Sequence, residues 1–358
     1  MTVLSAAIAA AALFLATACG SGGTEANVAN PGETGDSGET AGTTAEPQQA
    51  AFPVSIKHKY GATEITEAPK RVVAVGLVEQ DALLALGIVP VGTSEWFGEQ
   101  PGAIFPWAKA AYDKLGGELP TVLPQADGIQ YEKVAALQPD LIIALYSDLT
   151  KKDYDTLTAI APVVANPAEY PGYGIGWEEL TTKVGQAVGK APEAQKLIDE
   201  VKAKIETVKK EHPEFAGKSG LMATPYQGMF VYGSDDPRSR LLTSLGFTLP
   251  PDLDKAIGDK FGANIAAERM DLIDTDVLVM IIDTYAKDRA ALNKNPLYAD
   301  LSVVKEGRDL LIETNTPVGA ATSFISVLSL PFLLDDVVPR IAAAVDDDPA
   351  TKVEPVKA

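Results

Sequence analysis

From Arg71 onward, short runs of β-branched and other apolar residues alternate with stretches of helical periodicity. RVVAV (71–75), VPVGT (89–93), DLIIAL (140–145) and PVVA (162–165) form a first series, and SGLMAT (219–224), MFVY (229–232), DVLVMII (276–282) and DLLIE (309–313) a second. The runs are too continuous for strands with one wet face, so they predict covered sheets in two α/β units. Between the series, Leu197, Val201, Ile205 and Val208 recur at helical spacing through residues 192–211, with charges filling the opposite face. Pro192 suits a first helical turn and Pro213 stops the helix. At about 1.5 Å per residue this makes a rod of roughly 30 Å. A connector of that stiffness predicts little hinge opening.

The pattern divides the chain into an N-terminal lobe over 52–190, a connecting helix over 191–212, a C-terminal lobe over 213–345 and a tail over 346–358. An internal echo relates the lobes. Glu132 stands eight residues before Asp140, which opens LIIAL, and Glu268 stands eight before Asp276, which opens VLVMI. The echo places Glu132 and Glu268 at equivalent positions near the start of a helix in each lobe.

Residues 1–18 are apolar or small without a charge, and the run ends at Cys19 followed by GSGG. That is the form of a secretory signal, and Leu15-Ala16-Thr17-Ala18-Cys19 resembles a bacterial lipobox with Cys19 as the lipidated residue. A transmembrane anchor normally needs about 20 apolar residues, and the run from Val3 is shorter. Residues 20–51 carry seven glycines, five acids, no base and no aromatic, the composition of a flexible tether over 19–51.

Forty-nine acids face 30 bases, a formal charge of −19, and removing the tether's five acids still leaves −14. This excludes a nucleic-acid partner, because phosphate neutralisation needs clustered Lys and Arg. One cysteine excludes a disulfide framework, and two histidines leave few ligands for zinc or copper. His58 and His212 read as surface residues, Trp107 and Trp177 as packing residues, and Asp346–Asp348 as a solvated helix end. GxxxxGK[ST], GxSxG, HExxH and CxxC are all missing, which makes an enzyme less expected. Aromatic and arginine residues do recur at strand ends, where ligands sit in open α/β sheets. Trp96 and Phe97, Tyr146, Tyr226, Tyr232 with Arg238 and Arg240, and Tyr285 with Arg289 all follow predicted strands. Rigid rings with polar tips beside guanidinium groups suit a large, oxygen-rich chelate held between two lobes.

KRVVAVGLVEQDALLALGIVPVGTSEWFG, YEKVAALQPDLIIALYSDL, DPRSRLLTSLGF and AAERMDLIDTDVLVM resemble the iron-siderophore substrate-binding proteins of bacterial ABC importers, particularly actinobacterial lipoproteins. The resemblance runs from about Val54 to Ile341. It implies a class III substrate-binding fold, two α/β lobes joined by one long helix with the ligand in the cleft between them. It further implies a ferric siderophore as ligand, no cofactor, a monomer anchored on the extracytoplasmic face, and a membrane permease as partner. By position, Glu132 and Glu268 match the family's permease-docking glutamates. Trp96 and Tyr146 would line the first wall of the cleft, and Tyr226, Tyr232 and Arg238 the second, with Arg238 mattering most for an anionic chelate. Glu79, opening a helix after the first strand, either faces the cleft or serves as a helix-start carboxylate. Haem or cobalamin capture, with a tyrosine ligating haem iron, stays open within the family. A hydrolase or lyase using Glu79 as acid or base and Arg238 as anion clamp, and an adhesion lipoprotein, stay open outside it.

Overall fold

A computed structural model describes residues 52–126, 128–258, 260–348 and 350–358. The signal segment, the tether and Cys19 lie outside the described residues, which all belong to one compact unit.

The N-terminal lobe opens with an antiparallel hairpin, β1 (Val54–His58) and β2 (Gly61–Ile65). There follow β3 (Val72–Ala74), α1 (Glu79–Ala85), β4 (Gly92–Glu95), α2 (Pro106–Leu115), β5 (Thr121–Pro124), α3 (Tyr131–Ala136), β6 (Leu141–Ala144), α4 (Lys151–Thr158), β7 (Val163–Ala165) and α5 (Trp177–Ala187). Its sheet is parallel throughout, in the order β5-β4-β3-β6-β7. β3, β6 and β7 are buried along their full lengths, as expected for strands covered by helices on both faces. The connecting helix is α6 (Ala191–Glu211), with Ala194, Ile198, Val201, Ile205 and Val208 buried. Ile198 is the fully buried residue of its turn, and Leu197 packs at the margin.

In the C-terminal lobe come β8 (Gly220–Thr224), β9 (Met229–Tyr232), α7 (Pro237–Ser244), α8 (Leu253–Ile257), β10 (Gly262–Ile265), a 3₁₀ helix (Ala267–Ile273), β11 (Val277–Ile282), α9 (Tyr285–Lys294), α10 (Pro296–Ala299), α11 (Ser302–Lys305), β12 (Asp309–Glu313), α12 (Pro317–Ser323) and α13 (Ser329–Ala344). The order is β10-β9-β8-β11-β12, with β9 antiparallel to both of its neighbours.

The echo has a structural cause. The Asp140 carboxylate accepts the backbone N–H groups of Lys70 and Arg71, just ahead of β3. Asp276 accepts the N–H and hydroxyl of Ser219, just ahead of β8. In each lobe, therefore, the aspartate opening the fourth strand of the sheet ties down the chain entering the third.

Four strands lie outside the predicted runs. β1 and β2 alternate buried with exposed residues, β5 is a mostly exposed edge strand ending in Pro124, and β10 is an edge strand of four residues. None forms a continuous apolar run. His58 is buried in the first hairpin rather than on the surface, its Nε2 2.9 Å from the Thr63 hydroxyl, and burial lowers its pKa. The terminal stretch is not a free tail, since the backbone of Val356 pairs alongside Ile312 on the edge of β12. Nor does the C-terminal lobe keep to itself. α13 packs on α2 and α6, Phe324 stacks on Phe97 with centroids 4.9 Å apart, and Phe332 reaches Trp107 at 6.1 Å.

Candidate ligand cleft

The N-terminal sheet reverses its strand order between β3 and β6, and the crevice beyond the carboxyl ends of such strands is where ligands settle in open α/β sheets. Here it is occupied from within. Glu79, the first residue of α1, is completely buried. Its carboxylate accepts the backbone N–H groups of Val78 (3.1 Å), Leu145 (2.6 Å) and Tyr146 (2.8 Å). Burial pushes its pKa above the usual carboxylate range, and these amides oppose the shift. A Cβ on Gly76 would stand 1.9 Å from the Glu79 carboxylate, so the glycine is needed for this close approach. Glu79 is thus not presented to the cleft. It ties the start of α1 to the end of β6 and fixes the backbone of Tyr146.

Tyr146 is buried, with its ring edge-on to Tyr173 at 5.6 Å. Burial raises the pKa of both phenols. Trp96, 60% exposed beyond β4, borders two cavities. One, of about 630 Å³, lies between the lobes, with Trp96, Phe97 and Phe105 on one side and Asn315, Thr316 and Pro317 on the other. The second, of about 350 Å³, belongs to the N-terminal lobe and includes Tyr131, Asp148 and Tyr173.

On the opposite wall, Phe230 and Tyr232 share one face of β9 by the two-residue strand repeat. The Phe230 ring packs against Tyr232 at 5.3 Å and against Phe261 at 5.8 Å. Gly262, paired with Tyr232 on β10, makes room, because a Cβ there would lie 2.5 Å from the Phe230 ring. Asp236 caps α7 by accepting the Arg238 N–H at 2.8 Å. Both its carboxylate oxygens then accept from Arg238 Nη1, at 3.1 and 2.9 Å. The guanidinium lies over the Tyr232 ring at 4.3 Å, and its buried Nε has no hydrogen-bond partner. Burial disfavours the charge, but Asp236, with Tyr232 and Tyr146, raises the Arg238 pKa above its ordinary range, so it stays charged.

The structure thus brings Tyr146 of one lobe within electrostatic reach of Arg238, Tyr232 and Asp236 of the other, while Trp96 borders the adjoining cavity. Tyr226 stands apart on the β8–β9 turn, 59% exposed, its phenol oxygen accepting from neighbouring Gln227. Arg240 is a strut between lobes, donating to the Gly174 carbonyl at 2.7 Å. Arg289 pairs with the buried Asp309, which also accepts from the Tyr298 hydroxyl. Phe230, Phe261 and Tyr173 are additions to the sequence-derived set. Phe230 was legible as the residue two before Tyr232, whereas Phe261 and Tyr173 arrive through strand pairing and loop packing.

Glu132 lies in the first turn of α3 and Glu268 in the first turn of the 3₁₀ helix, both exposed. α3 leads into β6 and the 3₁₀ helix into β11, each the fourth strand of its sheet. Among the described residues, neither carboxylate makes a hydrogen bond or ion pair, and no cluster of three or more His, Cys, Asp or Glu could hold a metal. Also among these residues, no helix is long and apolar enough to cross a membrane.

Residues 72–312 match the periplasmic binding protein family. YhfQ of Bacillus subtilis, assigned as an ABC transporter substrate-binding lipoprotein, is 30% identical over 71% of this chain and 79% of its own length. A periplasmic solute binding protein from Mycobacterium smegmatis superposes with a TM-score of 0.70 at 34% identity, covering 82% of this chain and 99% of that one. PiaA of Streptococcus pneumoniae, in complex with ferrichrome, superposes with a TM-score of 0.73 at 30% identity, over 82% of this chain and 98% of its own. With two α/β lobes, a single long connecting helix and a cleft walled by both, the chain belongs to the periplasmic binding protein family.

Proposed function

We propose that this protein captures a ferric siderophore outside the cell and delivers it to the permease of an ABC importer, held to the membrane by a lipid on Cys19 and acting as a monomer. The observation that carries the reading is an aromatic-walled cavity between the lobes, bordered by Trp96 and Phe97, together with Tyr146 of one lobe within electrostatic reach of Tyr232 and Arg238 of the other. Aromatic faces with a few fixed polar groups are the lining that a large, rigid ligand needs. The ferrichrome complex of PiaA supports the choice of an iron chelate. Glu132 and Glu268, exposed, unpaired and equivalently placed, fit two docking points for cationic side chains on the two halves of a permease. Catalysis is not needed for this role.

Glu132→Ala and Glu268→Ala test it. Each variant is expected to abolish uptake of radiolabelled iron chelate into cells while keeping the affinity of the purified protein. Normal uptake with weakened ligand affinity would overturn the docking assignment.

A further inference from the structure

The charges at the cleft are arranged in an unexpected way for a receptor of polyanions. Arg238 meets Asp236 head-on through Nη1, and both side chains are largely enclosed. The pair is therefore neutral as a unit. Arg240, the other arginine of α7, is 3.5 Å from Asp235. The interlobe cavity carries Glu95 and Glu99 among its described lining residues and no lysine or arginine. The neighbouring cavity carries Asp148 and Asp153, again with no base on its described lining, and Lys59 and Lys152 within coulombic reach offset those two carboxylates without leaving a net positive charge. Around all of this the chain has a net charge of −19, a field that slows the approach of anions.

Resting on the function proposed above, we propose that the cleft selects electroneutral or monocationic ferric chelates, the charge class of tris-hydroxamates, over polyanionic catecholate and citrate complexes. In a tris-hydroxamate, three singly charged bidentate groups balance the ferric ion. Such a ligand enters a low-dielectric cleft without stranding a net charge there, whereas a tris-catecholate brings three uncompensated negative charges toward cavities whose described linings carry no lysine or arginine. The Arg238 Nε is buried without a hydrogen-bond partner, and Arg238 lines neither of the two cavities. Neutralised by Asp236 and enclosed, Arg238 is not an anion trap, which revises the expectation that it matters most for an anionic chelate.

Tryptophan fluorescence of the full-length protein, titrated with ferrichrome (neutral), ferrioxamine B (one positive charge), ferric dicitrate and a ferric tris-catecholate, tests the assignment. At least one hydroxamate complex is expected to bind about tenfold or more tightly than either polyanion, the scale of one close charge interaction. Tighter binding of a polyanion would overturn this selectivity while leaving the receptor function standing. Silence with all four would overturn both. Asp236→Asn keeps the helix cap and uncovers the arginine charge, so it is expected to narrow the preference about tenfold; an unchanged ratio would remove Asp236 from the account.

Discussion

Asp81, on α1, is enclosed where the two lobes touch. One of its oxygens accepts from Trp107 Nε1 at 2.7 Å and from the Ser326 hydroxyl of the other lobe, while Oδ1 has no partner. Burial pushes its pKa up to about 6, against the pull of those two donors. The folded protein therefore holds this proton more tightly than the unfolded chain does. The resulting stabilisation is fully present below about pH 4 and is lost as pH rises to about 6, a change of about 2–3 kcal/mol by linkage. Asp81→Asn retains an acceptor for both donors and has no charge to bury. Urea midpoints at pH 4.5 and 7.5 are expected to show the wild type losing stability relative to the variant as pH rises. Parallel changes in the two proteins would reject the assignment. At this scale the sequence was only partly informative. Asp236 and Arg238 stand two apart across a proline at a helix start, and the cap with its ion pair could be read from that spacing. Nothing local announces that Asp81 meets Ser326, 245 positions away.

Among the elements, the paired aspartates show how one device serves both lobes. Asp140 and Asp276 each bind the chain entering the neighbouring strand, and Arg308 reinforces the second junction by donating to the carbonyls of Thr275 and Asp276. Asp140→Ala and Asp276→Ala are each expected to lower stability by about 1.5–3 kcal/mol, the range for hydrogen bonds to a charged group. Asp276→Ala should have the larger effect, because Asp276 is half-buried and engages both the amide and the hydroxyl of Ser219. Equilibrium urea unfolding checks both. The central strands were legible because burial on two faces demands uninterrupted apolar runs. The hairpin and the edge strands were not, because half-wet or edge strands tolerate charges and proline.

For the molecule as a whole, α6 is not the sole link between the lobes. Phe324 contacts Phe97 and Phe105, Phe332 reaches Trp107, and Arg240 bonds Gly174. These contacts would have to break for a wide opening. Small-angle X-ray scattering with and without ferric chelate is expected to give radii of gyration within about 1 Å of each other, as in preorganised complexes. A contraction of several ångströms would show that these contacts open in the free protein.

The two-lobed α/β organisation, the connecting helix and the equivalence of Glu132 with Glu268 all followed from the sequence by itself. Each rests on local periodicity or on short-range spacing that repeats in both halves. Tertiary structure alone decided that Glu79 is buried against the Leu145 and Tyr146 amides, that Tyr226 stands outside the aromatic cluster while Phe230 and Phe261 join it, and that the described linings of the two cavities carry no lysine or arginine. Those outcomes depend on which chain ends meet in space, and burial and charge compensation are properties of that meeting rather than of any one segment.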